Sequence, residues 1–114
     1  MTNTAFFFNI YKKAGKAVKS FDEIKSILEK NKKRIAEDYF VNKIGIFGSV
    51  VRGEQKKTSD VDILVEFSKA ISLFRFLELE ELLSELIGQK VDLVSRKALK
   101  PHIGENILQE VWEI

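Results

Sequence analysis

Apolar residues are spaced differently in successive parts of the chain, and this spacing divides it into helices and strands. Over residues 21–38 they recur every three or four positions, which predicts an amphipathic helix. Ser20 and Glu23 stand at capping-box spacing at its start. Short apolar runs predict buried strands. We predict further helices over 71–87 and 101–110, and strands over 43–47, 61–67 and 91–94.

The order of these elements predicts the fold class. Gly88 ends the long central helix, and Pro101 opens the last helix at its favoured first-turn position. Helix, strand, strand, helix, strand, helix is typical of a small α/β (α+β) domain, with helices packed on a mixed β-sheet. We assign residues 20–114 to this single domain. Residues 1–19 have no clean period and resemble a cloning scar near Tyr11, so we expect a vector-derived or loosely ordered leader.

Composition excludes several classes of function. The 114 residues include no cysteine, which removes disulfide frameworks, thiolate zinc sites and thiol nucleophiles. The net charge is only +2, so we expect no direct binding to nucleic acid. No apolar run approaches a membrane span and no secretory pattern appears, and we therefore expect a cytoplasmic protein without membrane contact.

Three carboxylates lie where a plain core would not place them. Asp60 and Asp62 stand one residue apart at the start of a strand, and Asp92 interrupts the apolar run of the third strand. Side chains at i and i+2 of a strand point the same way, and two carboxylates about 4 Å apart repel by roughly 4 kcal/mol at an effective dielectric near 20. Since no strand offers a matching basic residue, a hard divalent cation, Mg²⁺ or Mn²⁺, is the economical partner for these oxygen ligands.

Gly48 and Ser49 follow the first strand and are candidates for binding phosphate. A glycine lets backbone approach a ligand, and a helix start offers free N–H groups to an anion. Ser49 is also an ordinary capping residue for a short helix ending near Arg52, and this alternative remains open. Arg52 could offset phosphate charge or form a structural ion pair. The side chains of Lys56 and Lys57 are expected to be solvated.

The spacing of these residues is similar to that of a known superfamily. Gly48-Ser49, ten residues and Asp60-Val61-Asp62 resemble the DNA polymerase β-like nucleotidyltransferases. The segments IFGSVVRGEQKKTSDVDILVEF, KVDLV and ALKPHIGENILQEV resemble the minimal nucleotidyltransferases, MntA-type antitoxins included, over about residues 21–112. The resemblance implies the polymerase β-like nucleotidyltransferase fold.

The resemblance also implies a reaction and its residues. AMP would pass from ATP to a hydroxyl, with release of pyrophosphate. Two metal ions, Mg²⁺ or alternatively Mn²⁺, would be held by the carboxylates, and the triphosphate would be bound at the glycine-serine step, with an arginine that belongs to the family pattern. Asp92 would lie near the attacking hydroxyl as metal ligand and candidate base. The implied metal and catalytic residues are Asp60, Asp62 and Asp92, and the implied nucleotide-binding residues are Gly48, Ser49 and Arg52.

The acceptor of the AMP group is expected to come from a partner protein, because the chain has little sequence beyond the third Asp for a second domain. The resemblance implies a HEPN-domain toxin whose tyrosine is AMPylated, which makes this chain the antitoxin of a toxin–antitoxin pair. Phe74 and Leu79, off the main apolar stripe of their helix, could dock such a partner or fill the core. Two alternatives stay open: an antitoxin that acts by contact alone, and a transferase with a small-molecule acceptor. Homo-oligomerisation also stays open.

Other side chains are assigned structural roles. We expect His102 to be a surface or capping residue rather than a catalytic one, and Trp112 to pack on the core. Four glutamates of the long helix are expected to form a solvated face: Glu78, Glu80, Glu81 and Glu85.

Overall fold

The computed structural model describes residues 19–56 and 58–114, and these contain a four-stranded sheet with helices packed on it. The predictions for the leader over residues 1–18, for Lys57 and for the His102 side chain lie outside what is described. The helices are α1 Phe21–Tyr39, α2 Ser49–Arg52, α3 Leu73–Ile87 and α4 Pro101–Glu110, with a 3₁₀ turn at Arg96–Ala98. The strands are β1 Val41–Phe47, β2 Val61–Phe67, β3 Val91–Ser95 and β4 Trp112–Glu113.

The sheet is mixed, as its sequence predicts. The strand order is β3-β2-β1-β4. β1 pairs antiparallel with β2 and with β4, whereas β2 and β3 run parallel and are joined through α3. The fold class predicted from the order of elements is confirmed.

The capping box at the start of α1 forms as predicted. The Ser20 hydroxyl accepts a hydrogen bond from the Glu23 backbone N–H at 3.2 Å, and the Glu23 carboxylate accepts one from the Ser20 N–H at 2.9 Å. These bonds satisfy two N–H groups that a helix start leaves without internal partners. Phe40 then ends the helix in the left-handed conformation, with φ of 58°.

Helices α1 and α3 pack on one face of the sheet, and the opposite face carries both polar and apolar side chains, among them Asp62 and the buried Leu64. Alternate residues of β2, such as Ile63 and Val65, belong to the apolar core with the helices. Their neighbours Asp62 and Leu64 point to the opposite face, because side chains alternate along a strand. The core combines residues from α1, α2 and α3 with strand residues: Ile24, Leu28, Ile35, Val41, Ile44, Ile46, Val50, Val61, Ile63, Val65, Leu79, Leu83, Ile87, Val91 and Leu93.

Phe74 and Leu79, the two residues off the main stripe of α3, have different environments. Leu79 is fully buried in the core, so for this residue the packing alternative is confirmed. Phe74 is 83% exposed, near the start of a helix that Ser72 caps. A docking role for Phe74 stays a prediction.

The free edge of β3 is closed by two side chains of α3. Ser84 Oγ accepts a hydrogen bond from the Val91 N–H at 3.0 Å, and Glu80 Oε2 accepts one from the Leu93 N–H at 2.9 Å. The prediction that Glu80 is simply solvated is therefore wrong. An edge strand needs acceptors for its outward N–H groups, and helix periodicity does not reveal which side chain supplies them.

The last residues form a strand that the sequence does not predict. β4 is two residues long, and it pairs Trp112 with Ile46 and Glu113 with Gly45. The prediction that Trp112 packs on the core is wrong, because this residue is 51% exposed. Its ring is nearly perpendicular to that of Phe21, with 5.6 Å between the ring centroids. Within the described residues, none of the helices combines the length and apolar composition needed to cross a membrane.

Candidate active site

The parallel pairing of β2 and β3 brings two of the predicted carboxylates together. Asp62 of β2 is the direct register partner of Asp92 of β3, and Asp60 lies two residues before Asp62, just ahead of the strand. All three therefore lie at the same end of the sheet. Asp62 is on the face opposite α1 and α3, since it alternates with the core residues Val61 and Ile63.

Asp62 is the most strongly perturbed member of this group. Burial, the largest cause, and then the negative charges of Asp92 and Asp60 together raise the pKa of its carboxyl from 3.8 to about 6. Arg52 lowers this pKa, but it does not offset the combined effect of burial and the neighbouring carboxylates. A partly buried carboxylate in such surroundings favours a proton or a cation.

The raised pKa predicts how stability depends on pH without divalent cations. The folded state holds the Asp62 proton more tightly than the unfolded chain, so this contribution to stability is full below about pH 4 and is lost as the pH rises through about 6. Asp62→Asn is expected to gain about 1 kcal/mol over the wild type across this window, a value discounted because the side chain is partly exposed. Urea unfolding in EDTA at several pH values measures the difference. A difference that does not change with pH would contradict the assignment.

The donors at this end of the sheet fit a hard divalent cation by their chemistry. Asp60, Asp62 and Asp92 offer oxygen atoms only, which suits Mg²⁺ or Mn²⁺. Lys90 Nζ lies 3.9 Å from Asp60 Oδ2, but both side chains are well exposed, and such a pair contributes little. Among the side chains that the structure describes, which do not include His102, no three acidic groups form a ready metal cage. The backbone register brings Asp62 and Asp92 side by side, with Asp60 two residues before Asp62.

Gly48 brings the backbone against Asp62. Its φ of 79° and ψ of −150° are accessible to glycine, and a Cβ at this position would lie 2.1 Å from Asp62 Oδ2. Its N–H points towards Glu110 and donates to Oε2 at 3.2 Å. Gly48 is also the N-cap of α2 and makes no side-chain capping bond, so the alternative that Ser49 caps this helix is wrong. Ser49 is the first helical residue, where its hydroxyl is not needed for capping.

Arg52 forms ion pairs with two glutamates. Its Nε donates to Glu54 Oε1 at 2.8 Å, and its Nη1 donates to Glu110 Oε1. Hydrogen bonds to Glu54 and then to Glu110 raise the pKa of the guanidinium. The ion-pair alternative for Arg52 is thus observed, and its role in binding phosphate stays a prediction. Lys56 is exposed, in agreement with a solvated side chain.

Glu110 also belongs to this site, although the motifs in the sequence do not predict it. It ends α4, 62 residues from Gly48 in sequence, and contacts both Gly48 and Arg52. One signal was present in the sequence. An acidic residue in the last turn of a helix opposes the helix dipole, and α4 has no basic residue there to offset it. Such a residue needs a cationic partner from elsewhere in the fold.

Comparisons with known proteins give matches over this whole region. The sequence profile of a nucleotidyltransferase domain matches residues 22–111. MntA of Thermococcus cleftensis, named a protein adenylyltransferase, is 50% identical over 95 residues, which cover 83% of this chain and 96% of that protein. A relative from Methanocaldococcus jannaschii, assigned as a protein adenylyltransferase, is 45% identical over 82% of this chain and 97% of its own length.

Solved structures agree with these sequence matches. One assigned as a minimal nucleotidyltransferase superposes with a TM-score of 0.75 at 30% identity, and covers 86% of this chain and 99% of that one. A complex of a tri-AMPylated HEPN toxin with an MNT antitoxin from Shewanella oneidensis gives a TM-score of 0.58 at 19% identity, over 77% of this chain and 69% of that one. The second likeness is one of fold alone.

Proposed function

The chain belongs to the nucleotidyltransferase domain family, and from this premise we propose that it transfers AMP from ATP to a hydroxyl group of a partner protein. The family match and the superposition confirm the predicted polymerase β-like fold and a nucleotidyltransferase enzyme. The observation that carries the finer proposal is the pairing of Asp62 with Asp92 beside Gly48. Asp62 lies against the backbone of Gly48 and has Asp92 as its register partner, which supports a triphosphate site beside these carboxylates.

In the proposed reaction, each group of residues has one task. Gly48 and Ser49 bind the triphosphate through their backbone N–H groups, and Arg52 offsets its charge. Asp60, Asp62 and Asp92 would hold two Mg²⁺ ions, which when bound stabilise charge on the phosphate oxygens and favour ionisation of the attacking hydroxyl. The hydroxyl oxygen bonds to the α-phosphorus, the bond to the bridging oxygen breaks, and pyrophosphate leaves. Asp92 lies at the strand edge of this group, where it is exposed and can take the hydroxyl proton.

The proposed acceptor is a tyrosine of a HEPN-type toxin, and the chain then acts as the antitoxin in the cytoplasm. Two similarities support this assignment. The relative from Thermococcus cleftensis carries the name protein adenylyltransferase. The Shewanella oneidensis structure is described as a HEPN toxin carrying AMP groups and bound to an MNT antitoxin.

A transfer assay tests the proposal. The chain is incubated with α-labelled ATP, Mg²⁺ and a HEPN protein encoded beside it, and label on the HEPN protein is expected. The same mixture with Asp60→Ala/Asp62→Ala is expected to leave the partner unlabelled. A partner-free arm with candidate small-molecule acceptors tests the alternative acceptor.

The assay also distinguishes AMP transfer from neutralisation of the partner by contact alone. If the wild type neutralises the HEPN protein without labelling it, the catalytic proposal fails and binding alone explains the function. Label that persists in the double variant would show that these carboxylates are not the catalytic ones.

A further inference from the structure

Glu110 accepts hydrogen bonds from two donors of the proposed nucleotide site. Its Oε2 accepts from the Gly48 N–H at 3.2 Å, and its Oε1 accepts from Arg52 Nη1. Its side chain is only 24% exposed. A carboxylate presents two anionic oxygens to the same kinds of donor that bind phosphate, a backbone N–H and a guanidinium. Glu110 thus imitates part of a bound phosphate group.

We propose that Glu110 is an internal placeholder for the nucleotide phosphates and must leave Gly48 and Arg52 when a triphosphate binds. This inference rests on the proposed function, because it needs phosphate to bind at these two residues. The single N–H of Gly48 cannot serve both groups well, since each backbone N–H is one donor. A phosphate at Arg52 would be a third anion beside Glu54 and Glu110, and these anions repel one another. Nucleotide binding therefore competes with a contact inside the chain.

The backbone around β4 holds Glu110 in this position. Gly45 of β1 has no side chain, and a Cβ there would lie 2.7 Å from Val111 Cγ2 and 3.0 Å from the Trp112 carbonyl oxygen. This close approach lets the segment after α4 pair with β1 and brings the end of α4 to Gly48. The position of Glu110 is consequently built into the packing of the carboxyl-terminal segment.

Release of Glu110 has a local reporter. Trp112 is the single tryptophan of the chain and lies two residues after Glu110. Its ring contacts that of Phe21 edge to face at 5.6 Å and is half exposed. A shift of the end of α4 changes these surroundings, and with them the tryptophan fluorescence.

Binding of a non-hydrolysable ATP analogue with Mg²⁺ to the full chain tests the placeholder. Glu110→Gln keeps the shape and removes the charge, and Glu110→Ala removes the contact. Both variants are expected to bind the analogue about five- to tenfold more tightly than the wild type, because a charged competitor is lost. Glu105→Gln removes the same charge from an exposed position of α4 and is expected to change the affinity less than about twofold. Calorimetry measures the affinities, and circular dichroism checks that each variant is folded.

Tryptophan fluorescence tests directly whether the nucleotide displaces Glu110 from Gly48 and Arg52. The analogue is expected to change Trp112 emission in the wild type, and to change it much less in Glu110→Ala, in which the contact is already absent. Unchanged or weaker binding by Glu110→Gln would overturn the placeholder, and weaker binding would make Glu110 a support for Arg52 instead. If the wild type and both variants bind no analogue, the proposed function fails together with this inference. If the wild type binds and transfers AMP while Glu110→Gln binds equally well, only the inference fails.

Discussion

Asp62→Asn is expected to lower the rate of AMP transfer at least about a thousandfold while the protein stays folded. Asp62 is the central carboxylate of the group, in register with Asp92 and two residues after Asp60. Replacing its charged oxygen by an amide removes a ligand from the proposed Mg²⁺ site. Metal ions stabilise the charge of such transition states by several kcal/mol, and each 1.36 kcal/mol is a factor of ten in rate.

This loss of rate is expected to come with a gain in stability. In the metal-free protein, Asp62 carries an unfavourable charge near neutral pH, because burial and the neighbouring carboxylates raise its pKa to about 6. The asparagine variant lacks that charge and is expected to unfold at higher urea concentration than the wild type. A variant that loses activity but gains stability indicates that the carboxylate serves function, because removing a structural carboxylate would lower the stability.

Single-turnover label transfer at saturating ATP, alongside urea unfolding, measures both effects. Asp38→Asn is the matched control, because Asp38 is an exposed carboxylate of α1 paired only with Arg34 at 3.7 Å in the described structure. This control is expected to transfer AMP at the wild-type rate. A fall of less than about tenfold for Asp62→Asn would mean that Asp62 does not hold the metal in the reaction.

The second large effect is expected at Gly48. Gly48→Ala places a methyl group 2.1 Å from Asp62 Oδ2, in a backbone conformation with φ of 79° that side chains rarely adopt. Either Asp62 or the Gly48 backbone has to move, and both are needed in the proposed site. We expect transfer to fall at least about a hundredfold and the free energy of unfolding to fall by about 1–3 kcal/mol.

Gly53→Ala is a control for Gly48→Ala, because it introduces backbone strain without a contact with Asp62. Gly53 also has a positive φ, 70°, but its ψ of 23° lies in the left-handed helical region, which costs alanine less than the conformation of Gly48, and a Cβ there would meet nothing within 4 Å. Its variant is expected to lose about 1 kcal/mol of stability from backbone strain alone and to keep its transfer rate. The rate and the unfolding free energy of the two variants are compared under the same conditions. Equal losses of rate in both would show that contact with Asp62 is not the reason for glycine at position 48.

The elements of this fold follow from local patterns in the sequence. Helical spacing and the capping box place α1 within one residue of its observed end, and the apolar runs place β2 and most of β1 and β3. Gly88 and Pro101 bound α3 and α4 as predicted. Each of these signals acts within a few residues, so the sequence carries it in readable form.

The chemistry of the carboxylates was also readable in part. Two aspartates one residue apart at a strand start are costly without a cation, and that cost alone pointed to Asp60 and Asp62. The strand aspartate Asp92 was conspicuous for the same reason. That Asp92 pairs in register with Asp62 depends on the parallel alignment of β2 and β3, which no local spacing sets.

The remaining features arise from contacts between distant parts of the chain. Glu110 reaches Gly48 and Arg52 from the end of α4, just before β4 pairs with β1, and β4 is too short to leave a pattern of its own. Glu80 looks like any exposed helical glutamate until the edge of β3 requires an acceptor. Local spacing and residue chemistry therefore dictate the helices, the strands and the aspartates that mark the site. Packing dictates which charges meet there, because backbone donors and buried carboxylates find their partners only once the sheet has closed.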